Sequence, residues 1–387
     1  MASSDIITYD ATVVTGLEKL AIKEIREKIS IDDDIQHSMG HVFIRTVDRY
    51  EKLSKLHSID NVYVLIYRND NVNLSDADEG QIRDFFNDVI DQSEWTLGMK
   101  VWSEASKFTH SDISTILNLS SDQGDYQKPS FRVSCNRTGK HKITSQDACG
   151  IFGGLINDIF HWPVSLKQFD LELLLTIKND SLKVSICLSK ESLYKRYIVE
   201  YGLTTLRGTI AFNLIQVAQI QPGDIVCDPM CGSGTIPVET GISWPETFVL
   251  GGDNNSTAIG KSLINCSANN YSITNIVQWD CTSLPIRTNS IDVFITDLPF
   301  GRRHGSKHIN KSLYPAILTE MVRCSCTQSG RIVLLTQDKT NANRCISDPR
   351  IRKYIHHEKS FFVKIGGLDS SIYLLKRNSN CFKEFSC

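Results

Sequence analysis

Asp228-Pro229-Met230-Cys231-Gly232-Ser233-Gly234-Thr235 is the stretch on which the fold turns. It follows a short apolar run, Ile225 to Asp228, that reads as a strand, and it opens a helical stretch. Gly232 and Gly234 allow a tight turn and a close approach of backbone to a ligand, because no Cβ stands in the way. The free N–H groups at such a helix start suit a carboxylate or phosphate. The turn is not a P-loop, since Lys-Ser/Thr is missing at the required place. It is not the dinucleotide fingerprint either, since Pro237 takes the third glycine position.

Working outward, further strands fit Thr247 to Gly251, Ile276 to Trp279, Ile291 to Thr296 and Arg331 to Leu335. Helical stretches fall at Thr209 to Ile220, Ser256 to Asn269 and Leu313 to Cys324. Short apolar strands alternating with helices predict an α/β domain with a parallel, doubly wound sheet and ligands at the strand C-terminal ends. A tail of Phe361 to Lys364 and Ser371 to Leu375, joined through Gly366-Gly367, predicts an antiparallel edge hairpin. Four successive strands end in an acid: Asp228, Gly251-Gly252-Asp253 followed by Asn254, Trp279-Asp280, and Asp297-Leu298-Pro299-Phe300-Gly301. Any one of these aspartates fits a turn or an N-cap. Four in succession predict one crevice.

The chain before this domain has a different rhythm. Strands fit Ile6 to Val14, His41 to Thr46 and Asn61 to Tyr67, with helices at Leu17 to Lys28, Tyr50 to Leu56 and near Gly80 to Ile90. These pieces predict a small α+β module over 1–107 with an antiparallel sheet. Residues 108–130, rich in Ser, Thr, Asp and Gln, read as a loop or flexible insertion. A strand at Phe131 to Cys135, a helix at Ser145 to Phe160 and a hairpin around Lys178-Asn179-Asp180-Ser181 make a second unit, 131–195, and the sheet domain occupies 196–387.

The 387 residues carry a formal charge of -2, and that near-neutrality is a cancellation. Residues 1–130 hold 23 acids and 13 bases, a net of -10; residues 131–387 hold 21 acids and 29 bases, a net of +8. A basic second part permits a nucleic acid partner, as solvated surfaces also would. No run of 18 apolar residues and no basic-then-apolar leader occurs, so a membrane span and a secretory signal are not expected. Twelve scattered cysteines without a CxxC read as reduced thiols in an intracellular protein. Cys324 and Cys326 lack partners for a tetrahedral set, and no metal site is proposed.

The glycine turn with its four strand-end acids resembles the class I S-adenosylmethionine-dependent methyltransferases. That resemblance implies S-adenosylmethionine as cofactor, with Asp228, Pro229, Cys231, Gly232, Gly234 and Thr235 around its methionine part. It places Asp253 at the ribose hydroxyls and Asp280 at the adenine amine, with Asn254 also among the cofactor-binding residues. Asp297, Leu298, Pro299 and Phe300 resemble the motif of enzymes that methylate exocyclic amines of bases, with Leu298 in place of the usual first proline. That departure leaves the local backbone less constrained. A guanine N2 is a poor nucleophile because its lone pair is delocalised; hydrogen bonds to Asp297 and the Leu298 carbonyl would favour amine geometry, with Phe300 stacked on the base.

Phe131-Arg132-Val133-Ser134-Cys135-Asn136-Arg137-Thr138, with Lys140, Lys142 and the helix-plus-hairpin to about Leu188, is similar to the THUMP domain, an RNA-binding module with a ferredoxin-like neighbour. From Tyr201-Gly202-Leu203-Thr204-Thr205-Leu206-Arg207 through the four motifs, the chain resembles the THUMP-linked tRNA guanine-N2 methyltransferases, and most of all their animal branch. The expected fold is thus a Rossmann-like methyltransferase sheet preceded by an α+β ferredoxin-like/THUMP region. The expected product is N2-methylguanosine at acceptor-stem positions 6 and 7 of tRNA. The family also implies a small zinc-binding activator protein as heterodimer partner, the zinc belonging to that partner. Candidate RNA contacts are Arg132, Arg137 and Lys142, then Lys195, Arg196 and Arg207, then Arg302, Arg303 and Lys307 beside the amine motif. Alternatives are the same chemistry on another structured RNA such as a small nuclear RNA, a glutamine or adenine N-methyltransferase, and a non-catalytic RNA-binding protein. The expected compartment is the cytoplasm, with nuclear residence compatible.

Overall fold

The computed structural model describes residues 5–108, 112–118, 127–269, 275–300 and 307–382, with the Lys307 side chain outside the description. Chain contacts divide it into two units, one of Met1–Thr12, Glu24–Leu56 and Asn61–Ser192, the other of Val13–Lys23, His57–Asp60 and Leu193–Cys387. Among the described residues there are two seven-stranded sheets.

The first sheet consists of β1 (Ile7–Val13), β2 (Gln36–Ser38), β3 (His41–Thr46), β4 (Ile59–Asn69), β5 (Phe131–Thr138), β6 (Leu171–Lys178) and β7 (Ser181–Cys187), ordered β2-β3-β1-β4-β7-β6-β5. The N-terminal pieces and the strand-helix-hairpin unit therefore share one sheet, joined where β4 pairs antiparallel with β7. β5 and β6 run parallel. Alternation decides the faces: Ile7, Tyr9, Ala11 and Val13 are buried on one side, and Thr8 and Thr12 lie on the other. The helices Glu79–Gln92 and Ser145–Phe160 start with capping boxes from Asp78 and Thr144. Trp95, Phe131, Phe160 and Trp162 form an aromatic cluster at one end. The expected 108–130 loop is not all loop: Ile113–Ile116 is a short helix capped by Asp112, and the Ile116 carbonyl accepts the Trp162 indole N–H at 2.8 Å. Its apolar residues Ile116 and Leu117 are buried, which the polar average of the stretch concealed.

The second unit contains β8 (Ile225–Asp228), β9 (Phe248–Asp253), β10 (Asn275–Gln278), β11 (Val293–Asp297), β12 (Arg331–Thr336), β13 (Ile355–Ile365) and β14 (Leu368–Arg377), ordered β10-β9-β8-β11-β12-β14-β13. The strands from β10 to β12 are parallel, and the last two form the expected antiparallel hairpin. Both faces are covered, as parallel sheets require. Val293, Ile295, Val333 and Leu335 pack with the buried helix Gly208–Ala218. Phe294, Ile332 and Leu334 pack on the opposite face with Tyr314, Ile317 and Met321 of the helix Lys307–Cys324. Val14 and Leu17 from the N-terminal region belong to the first of these cores. Gly16 adjoins them with φ +96°, and a Cβ there would lie 2.0 Å from the Phe362 carbonyl. No described helix is long and apolar enough to cross a membrane.

Candidate active site

The sheet order sets the carboxyl ends of β10, β9, β8 and β11 side by side, so Asp280, Asp253, Asp228 and Asp297 stand at four neighbouring strand ends. Chain order reverses between β8 and β11, the topological switch point at which an open α/β sheet leaves a crevice.

The glycine turn is braced from several sides. Gly232 and Gly234 have φ +53° and +85°. The Cβ position on Gly232 faces open space, with no atom within 4 Å, whereas a Cβ on Gly234 would lie 2.3 Å from the Ser262 hydroxyl. Gly232 N–H donates to Asp253 Oδ2 at 3.0 Å, and Cys231 N–H donates to the Gly252 carbonyl at 2.8 Å. Asp253 Oδ1 accepts the Asn255 N–H at 2.9 Å, so the carboxylate sits in one orientation beside the turn. Asn254 is exposed there, its carbonyl accepting from Gln278. Trp279 closes the arrangement: its indole donates to the Pro229 carbonyl at 3.0 Å, and its ring lies where a Gly252 Cβ would be, at 2.0 Å.

A strap before the domain's first long helix also reaches the turn. Thr205 Oγ1 and Ser233 Oγ are hydrogen-bonded at 2.9 Å, and Thr235 Oγ1 donates to the Leu206 carbonyl. Asn265 is fully buried; it accepts from Val199 and Glu200 N–H and donates to the Glu200 and Ser233 carbonyls. Asp280, by contrast, is exposed, and its Oδ1 accepts both the backbone N–H and the hydroxyl of Thr282. Those bonds hold its carboxyl below the usual range.

The two most buried carboxyls of the site hold protons more tightly than usual. Burial pushes Asp228 up to about 7, with its Oδ1 accepting the Met230 N–H. Burial, and then the charge of Asp228, hold Asp297 well above the usual carboxylate range. Asp297 Oδ1 is buried without a protein partner. Two apposed carboxyls, one with an orphaned oxygen, favour a cationic ligand and a hydrogen-bond donor. A sulfonium cofactor with a free ammonium group, and a base amine, meet both demands; the open side of Gly232 leaves room for the former.

The loop after Asp297 is more constrained than the missing proline implied. Leu298 N–H donates to the Leu335 carbonyl at 2.9 Å, a bond proline cannot make, and its side chain is 3% exposed in the core. The Pro299 carbonyl accepts from Asn310 Nδ2 at 2.9 Å and from the Tyr314 hydroxyl at 2.7 Å. Phe300 is half-buried at the end of the described segment. Neither Asn310 nor Tyr314 was singled out from sequence; the signal was their spacing of four on one helix directly after the motif.

Several of the proposed RNA contacts are engaged within the protein. Arg132 pairs with Glu172 at 2.9 Å and covers the Phe169 ring at 3.9 Å, Arg137 reaches His141, and exposed Lys142 donates to the Asp76 carbonyl. Lys195 is exposed. Arg196 Nε donates to the Leu193 carbonyl, and Arg207 lies 3.4 Å from Asp60 and over the Tyr194 ring. Arg302 and Arg303 lie outside the described residues, as does the side chain of Lys307, whose backbone starts a helix.

Residues 195–370 match the family described as RMKL-like, methyltransferase domain. The bovine (Bos taurus) protein named tRNA (guanine(6)-N(2))-methyltransferase THUMP3 is 31% identical, with 97% of this chain and 89% of the relative covered. The mouse (Mus musculus) protein named U6 snRNA (guanine-N(2))-methyltransferase THUMPD2 is 25% identical, covering 85% and 75%. Among solved structures, TrmN from Thermus thermophilus superposes with a TM-score of 0.76 at 20% identity, over 96% of this chain and 99% of that one, a likeness of fold.

Proposed function

This chain belongs to the THUMP-type tRNA guanine-N2 methyltransferase family, and we propose that its product is N2-methylguanosine at positions 6 and 7 of the tRNA acceptor stem. It is an S-adenosylmethionine-dependent methyltransferase of class I fold. The observation that carries the assignment of the base site is the buried, unpartnered Oδ1 of Asp297 at the carboxyl end of β11, followed by Leu298, Pro299 and Phe300.

The cofactor, when bound, supplies an electrophilic methyl group. Asp228 and the turn through Thr235 would hold its methionine part, and Asp253 its ribose, with Asn254 beside it. Asp280, exposed and fixed by Thr282, would accept from the adenine amine. At the base, Asp297 and the Leu298 carbonyl accept the two N2–H bonds, and Phe300 stacks on the ring. As N2 takes the methyl and the methyl–sulfur bond breaks, the amine must shed a proton. A buried carboxylate whose affinity for protons is raised is a better acceptor than a surface one, which suits Asp297 to take it. Orientation and oriented dipoles supply much of the rate.

The THUMP region is the proposed grip on tRNA, with the basic residues beside the amine motif holding the backbone near the base. A zinc-binding activator protein is the proposed partner. In support, β10 is an edge strand, with Val277 40% exposed and Leu263 and Ile264 exposed on the adjoining helix Ser256–Ala268. The proposed compartment is the cytoplasm.

Nucleoside mass spectrometry with position mapping, after incubating the chain with activator, cofactor and unmodified total RNA, tests the whole reading. N2-methylguanosine at tRNA positions 6 and 7 is the expected result. Methylation of U6 small nuclear RNA instead would favour the second reading, for which the THUMPD2 relative speaks. Full activity of the isolated chain would remove the activator from the proposal.

A further inference from the structure

We infer that Asn310 is a positioning residue for methyl transfer, holding the base-binding loop through the carbonyl of Pro299; the inference rests on the assignment of Asp297 to Phe300 as the base site. Asn310 lies in the first turns of the helix Lys307–Cys324 and is completely buried. Its Nδ2 donates to the Pro299 carbonyl at 2.9 Å and to Asp338 Oδ2 at 3.0 Å. Its Oδ1 is buried without a protein partner. An orphaned buried acceptor is a cost to folding, so this amide is poorly explained as a device for stability alone. What the amide supplies are two donors, and one of them is spent on the catalytic loop.

The same carbonyl takes a second bond. Tyr314 hydroxyl donates to it at 2.7 Å and is itself linked to Thr336 Oγ1 at 2.8 Å, which accepts the Asp338 N–H at 2.9 Å. Both lone pairs of the Pro299 oxygen are thereby occupied by donors one helical turn apart. The proline ring already fixes φ of Pro299. Two bonds to its carbonyl fix ψ, so neither peptide flanking Pro299 can rotate. One of those peptides carries the Leu298 carbonyl, a proposed acceptor for N2–H, and the other leads to Phe300. Together with the Leu298 N–H bond to Leu335, these donors replace the stiffness that a second proline would have given the loop. Asp338 holds Asn310 in turn. It is 2% exposed, caps the helix Lys339–Ile346 and accepts from Asn341 Nδ2 at 2.7 Å.

The test separates positioning from folding. Asn310→Asp keeps the shape and, when ionised, offers neither donor, and the exchange Asn310→Asp with Asp338→Asn restores an amide–carboxyl bond between the two positions without restoring an N–H to Pro299. In the reconstituted enzyme, with unmodified tRNA, Asn310→Asp should lower kcat by about tenfold or more while KM for tRNA and the cofactor Kd stay within about twofold. The exchange should recover the melting temperature and leave kcat low. Recovery of kcat together with melting temperature, or wild-type kcat in Asn310→Asp, overturns the inference. Should Asn310→Asp fail to fold, Tyr314→Phe removes the other donor: a kcat reduced at least about threefold with unchanged cofactor Kd supports the inference, and wild-type kcat overturns it. Asp297→Ala, run alongside, reports on the base site itself; a wild-type rate there defeats that assignment whatever Asn310 does.

Discussion

The backbone N–H of Leu298 donates to the carbonyl of Leu335 at 2.9 Å, carrying the pairing of β11 with β12 one residue past the last strand position. The loop proposed to bind the base therefore leaves the sheet from a fixed point. Leu298→Pro, which would install the residue more usual in this motif, deletes that bond and part of a buried side chain. A loss of about 2 to 4 kcal/mol in denaturant unfolding is expected, together with lower kcat. Wild-type stability in the proline variant would show that the bond contributes nothing.

Asp228 gives the site a pH dependence. Its folded pKa of about 7 lies above the unfolded value of 3.8, so the native chain binds the extra proton. Its contribution to stability is complete below about pH 4 and is lost as pH rises through about 7. Binding of a cationic cofactor favours the ionised form, so affinity should strengthen as pH rises from about 6 to 8, with proton release on binding. Calorimetry in buffers of different ionisation enthalpy measures both, and Asp228→Asn should flatten the dependence. A pH-independent affinity in the unaltered chain would contradict the assignment.

Gly252 carries the Trp279 ring where its own Cβ would be. Gly252→Ala must push the indole away and break its bond to the Pro229 carbonyl, which steadies the glycine turn. A destabilisation of about 1 to 3 kcal/mol is expected. Cofactor affinity should weaken with it, read by the quench of tryptophan fluorescence or by calorimetry. Unchanged affinity and melting temperature would mean that the turn does not depend on this contact.

Arg302 and Arg303 follow the amine motif directly in sequence. Reversal of both to Glu should weaken tRNA binding by about tenfold or more at moderate salt, and should flatten the dependence of binding on salt as phosphate contacts are lost. Cofactor affinity should be unchanged. Equal tRNA affinity across a salt series, measured by filter binding, would exclude this pair from the interface.

Local sequence determined a good deal of this protein. Gly232 and Gly234 are readable as a turn because few other residues adopt positive φ, and short apolar runs such as Ile225–Asp228 are readable as parallel strands because they are buried on both faces. Strand-end acids were legible for the same reason: a charge closing an apolar run marks where the chain leaves the core. Capping boxes at Asp78 and Thr144 carry their own signature as well.

Tertiary structure decided what depends on partners distant in sequence. Nothing near Leu298 foretells that its N–H meets Leu335, or that its side chain finds a core pocket that makes up for a missing proline. The union of β4 with β7, more than a hundred residues apart, merges two apparent modules into one sheet. Asn265 looks like any polar helix residue until the Glu200 and Ser233 backbones close around it. Arg132 looks like a free surface cation until Glu172 and Phe169 close on it. The physical reason is the same in each case: backbone preference is a property of neighbours in the chain, whereas desolvation and hydrogen-bond satisfaction belong to neighbours in space.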